Sequence, residues 1–247
     1  MTRDRLVGLL AGLLVLAAGC QGPGFDRQTV TPAEVPSAER TVSTDAELLA
    51  DQHRRALENR SYTTTVTFAV RYPNGSTGRV TDTFAVASDD AYRYERRVVG
   101  PYPETATNRT IWEDESVEVR RQTDADGTVT VDVQPGGNPG DTTLSSFVER
   151  LLGQFELNAT EREGRLTGRA ERVPNIPLPP DLYDHRNATV EVVVRDDIVR
   201  TVDIELRADY PDIGRTVRVE IGLGVERVGE TTPTRPDWAD EAAAPGE

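Results

Sequence analysis

Lysine is absent: all 28 basic residues of the 247-residue chain are arginines, set against 42 Asp and Glu. The formal net charge of −14 repels phosphate backbones and anionic headgroups, which argues against nucleic acid and acidic lipid surfaces as partners. Cysteine occurs once, at Cys20, so no intramolecular disulfide can form and cysteine-based metal or redox chemistry is excluded. The G-x-S-x-G, H-E-x-x-H and P-loop patterns are missing, and there are only two histidines, His53 and His185. His53 sits in a helical pattern between Gln52 and Arg54 and reads as solvated or half-buried; His185, beside Asp184 and near Asp181, reads as a loop residue, with a base or ligand as the alternative. The pairs Asp89-Asp90 and Asp196-Asp197 read as hairpin-turn residues. No catalytic residue, metal site or cofactor is expected, and the chain is not expected to be an enzyme.

What is present begins at the N-terminus. Arg3 and Arg5 precede the uncharged run Leu6 to Ala18, which ends in Leu16-Ala17-Ala18-Gly19-Cys20. A basic start, a short apolar run and small residues before a cut site make a secretory signal peptide over residues 1–19. As a helix the run would reach only about 20 Å, short of the ~30 Å hydrocarbon core. Cys20 then has two readings, an incidental cysteine behind an ordinary leader or the lipidated residue of a lipobox. At this point the chain resembles a bacterial or archaeal lipoprotein, which implies a thioether-linked lipid on Cys20 and a protein held on the outer face of the cell membrane. Ala17 stands where lipoboxes usually carry Leu, and Arg3-Asp4-Arg5 is not a twin-arginine pair. A two-chain lipid holds a protein where a single chain barely does.

The Lys-free, Asp- and Glu-rich composition resembles proteins of halophilic archaea. Multimolar salt screens carboxylate repulsion to within about 3 Å, and Arg is more weakly hydrated than an ammonium and pairs bidentately with carboxylates. A generic acidic secreted protein is the alternative. Five of the seven asparagines lie in Asn-x-Ser/Thr sequons, at Asn59, Asn74, Asn108, Asn158 and Asn187, which suits N-glycosylation of an exported surface.

Residues 20–43 hold Gly22, Pro23, Gly24, Pro32 and Pro36 without apolar periodicity and read as a flexible tether. Thr44-x-x-Glu47 predicts a capping box and a short helix to about Glu58, with Leu48, Leu49, Ala56 and Leu57 as its apolar positions. The period then changes to two. Tyr62, Thr64, Val66, Phe68, Val70 and Tyr72 alternate with more polar neighbours, and Pro73-Asn74-Gly75-Ser76 turns the chain. Val80, Phe84 and Val86 return, with Asp82 out of keeping on the same face; Tyr92, Tyr94 and Val98 mark a third strand. Strands are predicted near 110–113, 117–122 and 128–133, the last two joined by Asp124-Ala125-Asp126-Gly127. This D-x-D-G fragment reads as a hairpin turn rather than a calcium loop, because an EF-hand's later ligands are missing.

A helix is predicted over about 143–155, capped by Thr142 or Thr143. Leu144, Phe147, Val148, Leu151, Leu152 and Phe155 form one apolar stripe along it. That stripe must cover something apolar, the sheet or, failing that, a membrane surface. Strands follow at 156–161 and 165–171, then a Pro-rich lid or rim at 173–180 and three closing strands rich in Val, Ile and Leu. Residues 231–247, with Trp238 alone, read as a disordered acidic tail.

One domain over 44–230 is expected: α+β, mainly β, a strongly curved antiparallel sheet (half-barrel) with helices packed in its concave side. This order of elements resembles the LolA/LppX/RseB-type half-barrel, and more narrowly haloarchaeal surface lipoproteins built on that plan. The resemblance implies a groove between sheet and helices for acyl or similar chains, with no catalytic residues. The candidate ligand-binding residues are Val66, Phe68, Val70, Phe84, Val192, Ile204 and Val219, capped by Phe147 and Leu151; the same residues could equally pack one another as core. The partners expected are the membrane, through the lipid on Cys20, and a lipid-like ligand. The alternative is a cell-envelope interaction or structural module with a protein partner and no small-molecule ligand.

Overall fold

The structure is a computed structural model that describes residues 42–87, 91–102, 107–137, 140–178 and 182–243. The expected signal peptide, Cys20 and the tether up to residue 41 lie outside the described residues, as do residues 88–90, Pro103, Pro179-Pro180, Asp181 and 244–247.

Among the described residues eleven antiparallel strands form one sheet: β1 (Tyr62–Arg71), β2 (Thr77–Val86), β3 (Tyr92–Val99), β4 (Asn108–Glu113), β5 (Val117–Thr123), β6 (Val129–Pro135), β7 (Glu156–Ala159), β8 (Arg165–Arg172), β9 (Tyr183–Arg195), β10 (Ile198–Tyr210) and β11 (Arg215–Glu226). Their order is β6-β5-β4-β3-β2-β1-β11-β10-β9-β8-β7. Two meanders, β1–β6 and β7–β11, are thus joined side by side through the first and last strands, with Val66 opposite Leu223 and Val70 opposite Val219. An open twisted sheet of this width curls, and this one is curved and not closed.

Topology explains the cover. β6 and β7 are consecutive in the chain but sit at opposite edges of the sheet. The connection between them must therefore cross the sheet, and its helix α2 (Ser145–Leu152) carries the apolar stripe that makes the crossing adhere. Val148, Leu151, Leu152 and Phe155 are buried, and Leu144 and Phe147 pack half-buried against the same core. Helix α1 (Ala46–Leu57) lies beside α2 and against β10, burying Leu49, Ala50, His53 and Leu57. Under the two helices Val192, Ile204, Val219 and Ile221 are buried to within 2 % of full.

Local details differ from expectation for physical reasons. The N-cap of α1 is Asp45, whose carboxylate accepts from Leu48 N–H at 3.0 Å, and not Thr44; Leu48 is exposed rather than part of the buried stripe. Helix α2 is shorter than its apolar pattern. Leu144 is left-handed (φ 57°), and Asp141 caps the first turn by accepting from Ser146 N–H at 3.0 Å and from the hydroxyls of Thr143 and Ser145. Burial alone would raise the Asp141 carboxyl, but these hydrogen bonds outweigh it and hold it below its ordinary value. His185 lies on β9, not in a loop, with Nε2 2.8 Å from the Leu182 carbonyl oxygen. Asp196 and Asp197 take left-handed conformations in the β9–β10 hairpin, as an acidic two-residue turn requires. The Asp124–Gly127 segment is the β5–β6 hairpin turn, with Gly127 at φ 86°.

The tail is the clearest departure. Residues 231–243 are ordered: Thr231 is buried against β1, the Arg93 guanidinium donates to the Thr234 carbonyl, Arg235 pairs with Asp114, and α3 (Asp237–Ala243) packs on β5 and β6. Ala239 is fully buried, and Trp238 is not alone, since the Arg121 guanidinium lies 6.0 Å from its ring centroid. The pairing register shows why. Phe84, Tyr94 and Ile111 continue the helix-bearing face, but Arg120 and Asp132 come next on that face. Apart from Ile111, the apolar residues of β4–β6, among them Trp112, Val119 and Val133, lie on the opposite face. The sheet changes its apolar side near β4, and the C-terminal segment crosses that second side.

Candidate functional site

Where the helix cover runs out over β1–β3, a cavity of about 370 Å³ opens on the helix-bearing face. Val66 and Phe68 of β1 and Val80 and Phe84 of β2 form its floor, Leu144 and Phe147 its helical wall, and Tyr102, Pro177 and Leu178 its rim. The Phe68 and Phe147 rings meet edge to face, with centroids 6.2 Å apart. Gly78 places the rim: a Cβ there would lie 1.5 Å from the Pro101 carbonyl oxygen, so only glycine lets the 101–102 segment cross β2 and set Tyr102 beside the cavity. Of the Pro-rich segment, Pro177 and Leu178 lie at this rim, and Val173 and Ile176 before them are buried.

A charged pair, Asp82 with Arg96, interrupts the apolar lining. Asp82 is buried on the cavity floor, and Arg96 donates to both its oxygens, Nε to Oδ1 at 2.8 Å and Nη2 to Oδ2 at 2.9 Å. The Tyr94 hydroxyl donates to Oδ1 at 2.7 Å. Burial, then the neighbouring Asp82 carboxylate, pushes the Tyr94 hydroxyl well above its ordinary range, so it stays protonated. Asp82 therefore fits the register that composition alone makes awkward, because its charge is matched bidentately.

Two half-buried hydrogen bonds hold the segment that leads into α2. His53 is fully buried, not solvated. Its Nε2 donates to the Thr143 carbonyl at 3.0 Å, and its Nδ1 accepts from Val199 N–H at 3.3 Å. These partners require the neutral ring, and burial lowers its pKa below 6.5. The Tyr62 hydroxyl donates to Thr142 Oγ1 at 3.2 Å, and burial pushes it up to about 12.

Of the nine candidate residues, the structure brings Val66, Phe68, Phe84 and Phe147 to the cavity. Val70, Leu151, Val192, Ile204 and Val219 are packed core. Sequence reasoning missed Asp82 and Arg96 as lining residues; the only signal was an acid on an apolar face and an Arg two residues beyond Tyr94. A larger hollow of about 910 Å³ lies beside the β9–β10 hairpin tip, but Gln52, Arg55, Glu163, Asp196 and Asp197 make its wall largely polar. All five sequon asparagines are exposed. Among the described residues no group of His, Cys, Asp and Glu is placed to hold a metal ion, and no helix is long and apolar enough to cross a membrane.

No family model matches the chain, and no curated protein does. Among solved structures it is similar to a DUF1329 family protein from Desulfovibrio piger, with 10% identity over 79% of this chain and 96% of that one and a TM-score of 0.26. It is also similar to a LolA superfamily protein from Nitrosomonas europaea, with 7% identity over 79% of this chain and 97% of that one and a TM-score of 0.28.

Proposed function

We propose that the mature protein is an exported, membrane-anchored lipoprotein that binds an apolar, lipid-like molecule between sheet and helix without transforming it. The supporting observation is the cavity at Phe68, Phe84 and Phe147. Its lining is mainly apolar, drawn from β1 and β2, from Leu144 and Phe147, and from Pro177 and Leu178, and it adjoins the buried core. Cys20 at the end of an apolar leader is the anchor in this reading, and the exposed sequons are acceptors on the outer surface. Mass spectrometry of natively purified protein tests it: a lipid mass on Cys20 and a retained apolar molecule are expected. A protein that carries no passenger and takes up none from a lipid extract would overturn the binding reading. A Cys20→Ser form recovered undiminished in the membrane fraction would overturn the anchor.

A second reading, a cell-envelope interaction module, draws on the edge strand β6. Val129, Val131 and Val133 are exposed there on one face, at 43–48 %. Crosslinking in intact cells that captures an envelope protein through β6, with no bound lipid, would favour it.

A further inference from the structure

We propose that the cavity accepts a single apolar chain ending in an uncharged hydroxyl, with the hydroxyl donating to Asp82; this rests on the apolar-ligand reading above. Size gives the first constraint. At about 370 Å³ the cavity lies near the lower end of the ~300–1,000 Å³ range of ligand pockets, which suits one chain rather than the paired chains of a bilayer lipid.

The headgroup follows from the charged pair in the lining, Asp82 with Arg96. Asp82 Oδ1 accepts two hydrogen bonds, from Tyr94 and Arg96, whereas Oδ2 accepts one, from Arg96. A carboxylate has about four lone-pair positions, so Oδ2 retains an acceptor position. The pair is already neutral in sum, and Asp82 is buried. A carboxylate head would compete with Asp82 for Arg96 and meet a like charge. An ammonium head would compete with Arg96 for Asp82. Either leaves a charge without its match in a partly dry site. A hydroxyl completes the acceptor set of Asp82 and disturbs neither partner.

The test is titration of the full-length protein with 1-decanol, decanoate and decylammonium, followed calorimetrically in about 1 M NaCl, where screening of the net negative charge is within ~3 Å. Decanol is expected to bind at least about tenfold more tightly than either charged chain. Asp82→Asn should shift the preference toward decanoate by about tenfold, and Arg96→Gln toward decylammonium by a similar factor. Near-UV circular dichroism reports whether each variant is folded, and the wild-type ranking decides the proposal even if one is not. Equal binding of all three chains, or a charged chain binding best, overturns the headgroup assignment and leaves the apolar-ligand reading standing. No binding of any chain overturns both.

Discussion

The two ends of the sheet bury their apolar residues on opposite faces. Strands β7–β11 and β1 bury Val192, Ile204, Leu206, Val219 and Ile221 beneath α1 and α2. Strands β4–β6 turn Trp112, Val119 and Val133 to the other face, where the C-terminal segment and α3 lie. The first half is packed shut. The second is thinly covered, and its edge valines remain exposed. The cavity sits at the seam, where helix cover ends and the apolar side has not yet changed. A cavity placed there needs no hollow among the buried residues beneath the helices.

That contrast can be broken at graded cost. The largest effect is expected from Ile204→Ala beneath the helices, a loss of about 2–5 kcal/mol in denaturant unfolding. A stop codon at residue 237, removing α3 with its buried Ala239, should cost about 2–3 kcal/mol by uncovering the β5–β6 surface beneath it. Hydrogen exchange should then quicken in β4–β6 while decanol binding is kept. Equal quickening in β9–β11 would show that the halves are not separate. Phe147→Ala at the seam should cost only about 1–2 kcal/mol, because the ring is half-exposed, yet weaken ligand affinity about tenfold.

The next effect is a slope with pH. His53 must be neutral to accept from Val199 N–H, and its pKa lies below the ordinary 6.5 in the folded protein. The unfolded chain therefore takes up the proton first as pH falls. The stability this residue contributes is complete above about 6.5 and is lost between that value and its lower folded pKa. The neighbouring Asp141 and Arg200 act on the ring in opposite directions, the first raising and the second lowering its pKa. Asp141, held below its ordinary value, loses its own contribution at lower pH, from about 3.8 downward. Unfolding midpoints at pH 7 and pH 5 should differ less in His53→Gln than in the wild type, and an unchanged difference would remove His53 from this role. The smallest effect is expected from Val131→Ser on β6, within about 0.5 kcal/mol.

Much of this was legible in the residues themselves. The alternation from Tyr62 to Tyr72, the turn at Pro73–Ser76 and the stripe from Leu144 to Phe155 depend on neighbours within a few positions, where period and turn chemistry act directly. The site was legible only in part. Phe68, Phe84 and Phe147 stood out as large apolar residues, but so did Ile204 and Val219, which are core; a lining and a core have the same composition.

The amino-acid order by itself determined roughly ten of the strands in outline, the hairpin turns, the covering helix and an arginine-only acidic composition, because each follows from local periodicity and charge. Tertiary structure alone decided three things. The apolar side of the sheet reverses near β4, so the terminal segment expected to be loose is bound there. Asp82 meets Arg96 across the β2–β3 pair and becomes a matched charge instead of a flaw. His53 is joined to a strand 146 residues away and becomes a buried clamp rather than a surface residue. In each case the deciding partner lies beyond the reach of local pattern, and burial, which no single residue specifies, sets what the side chain does.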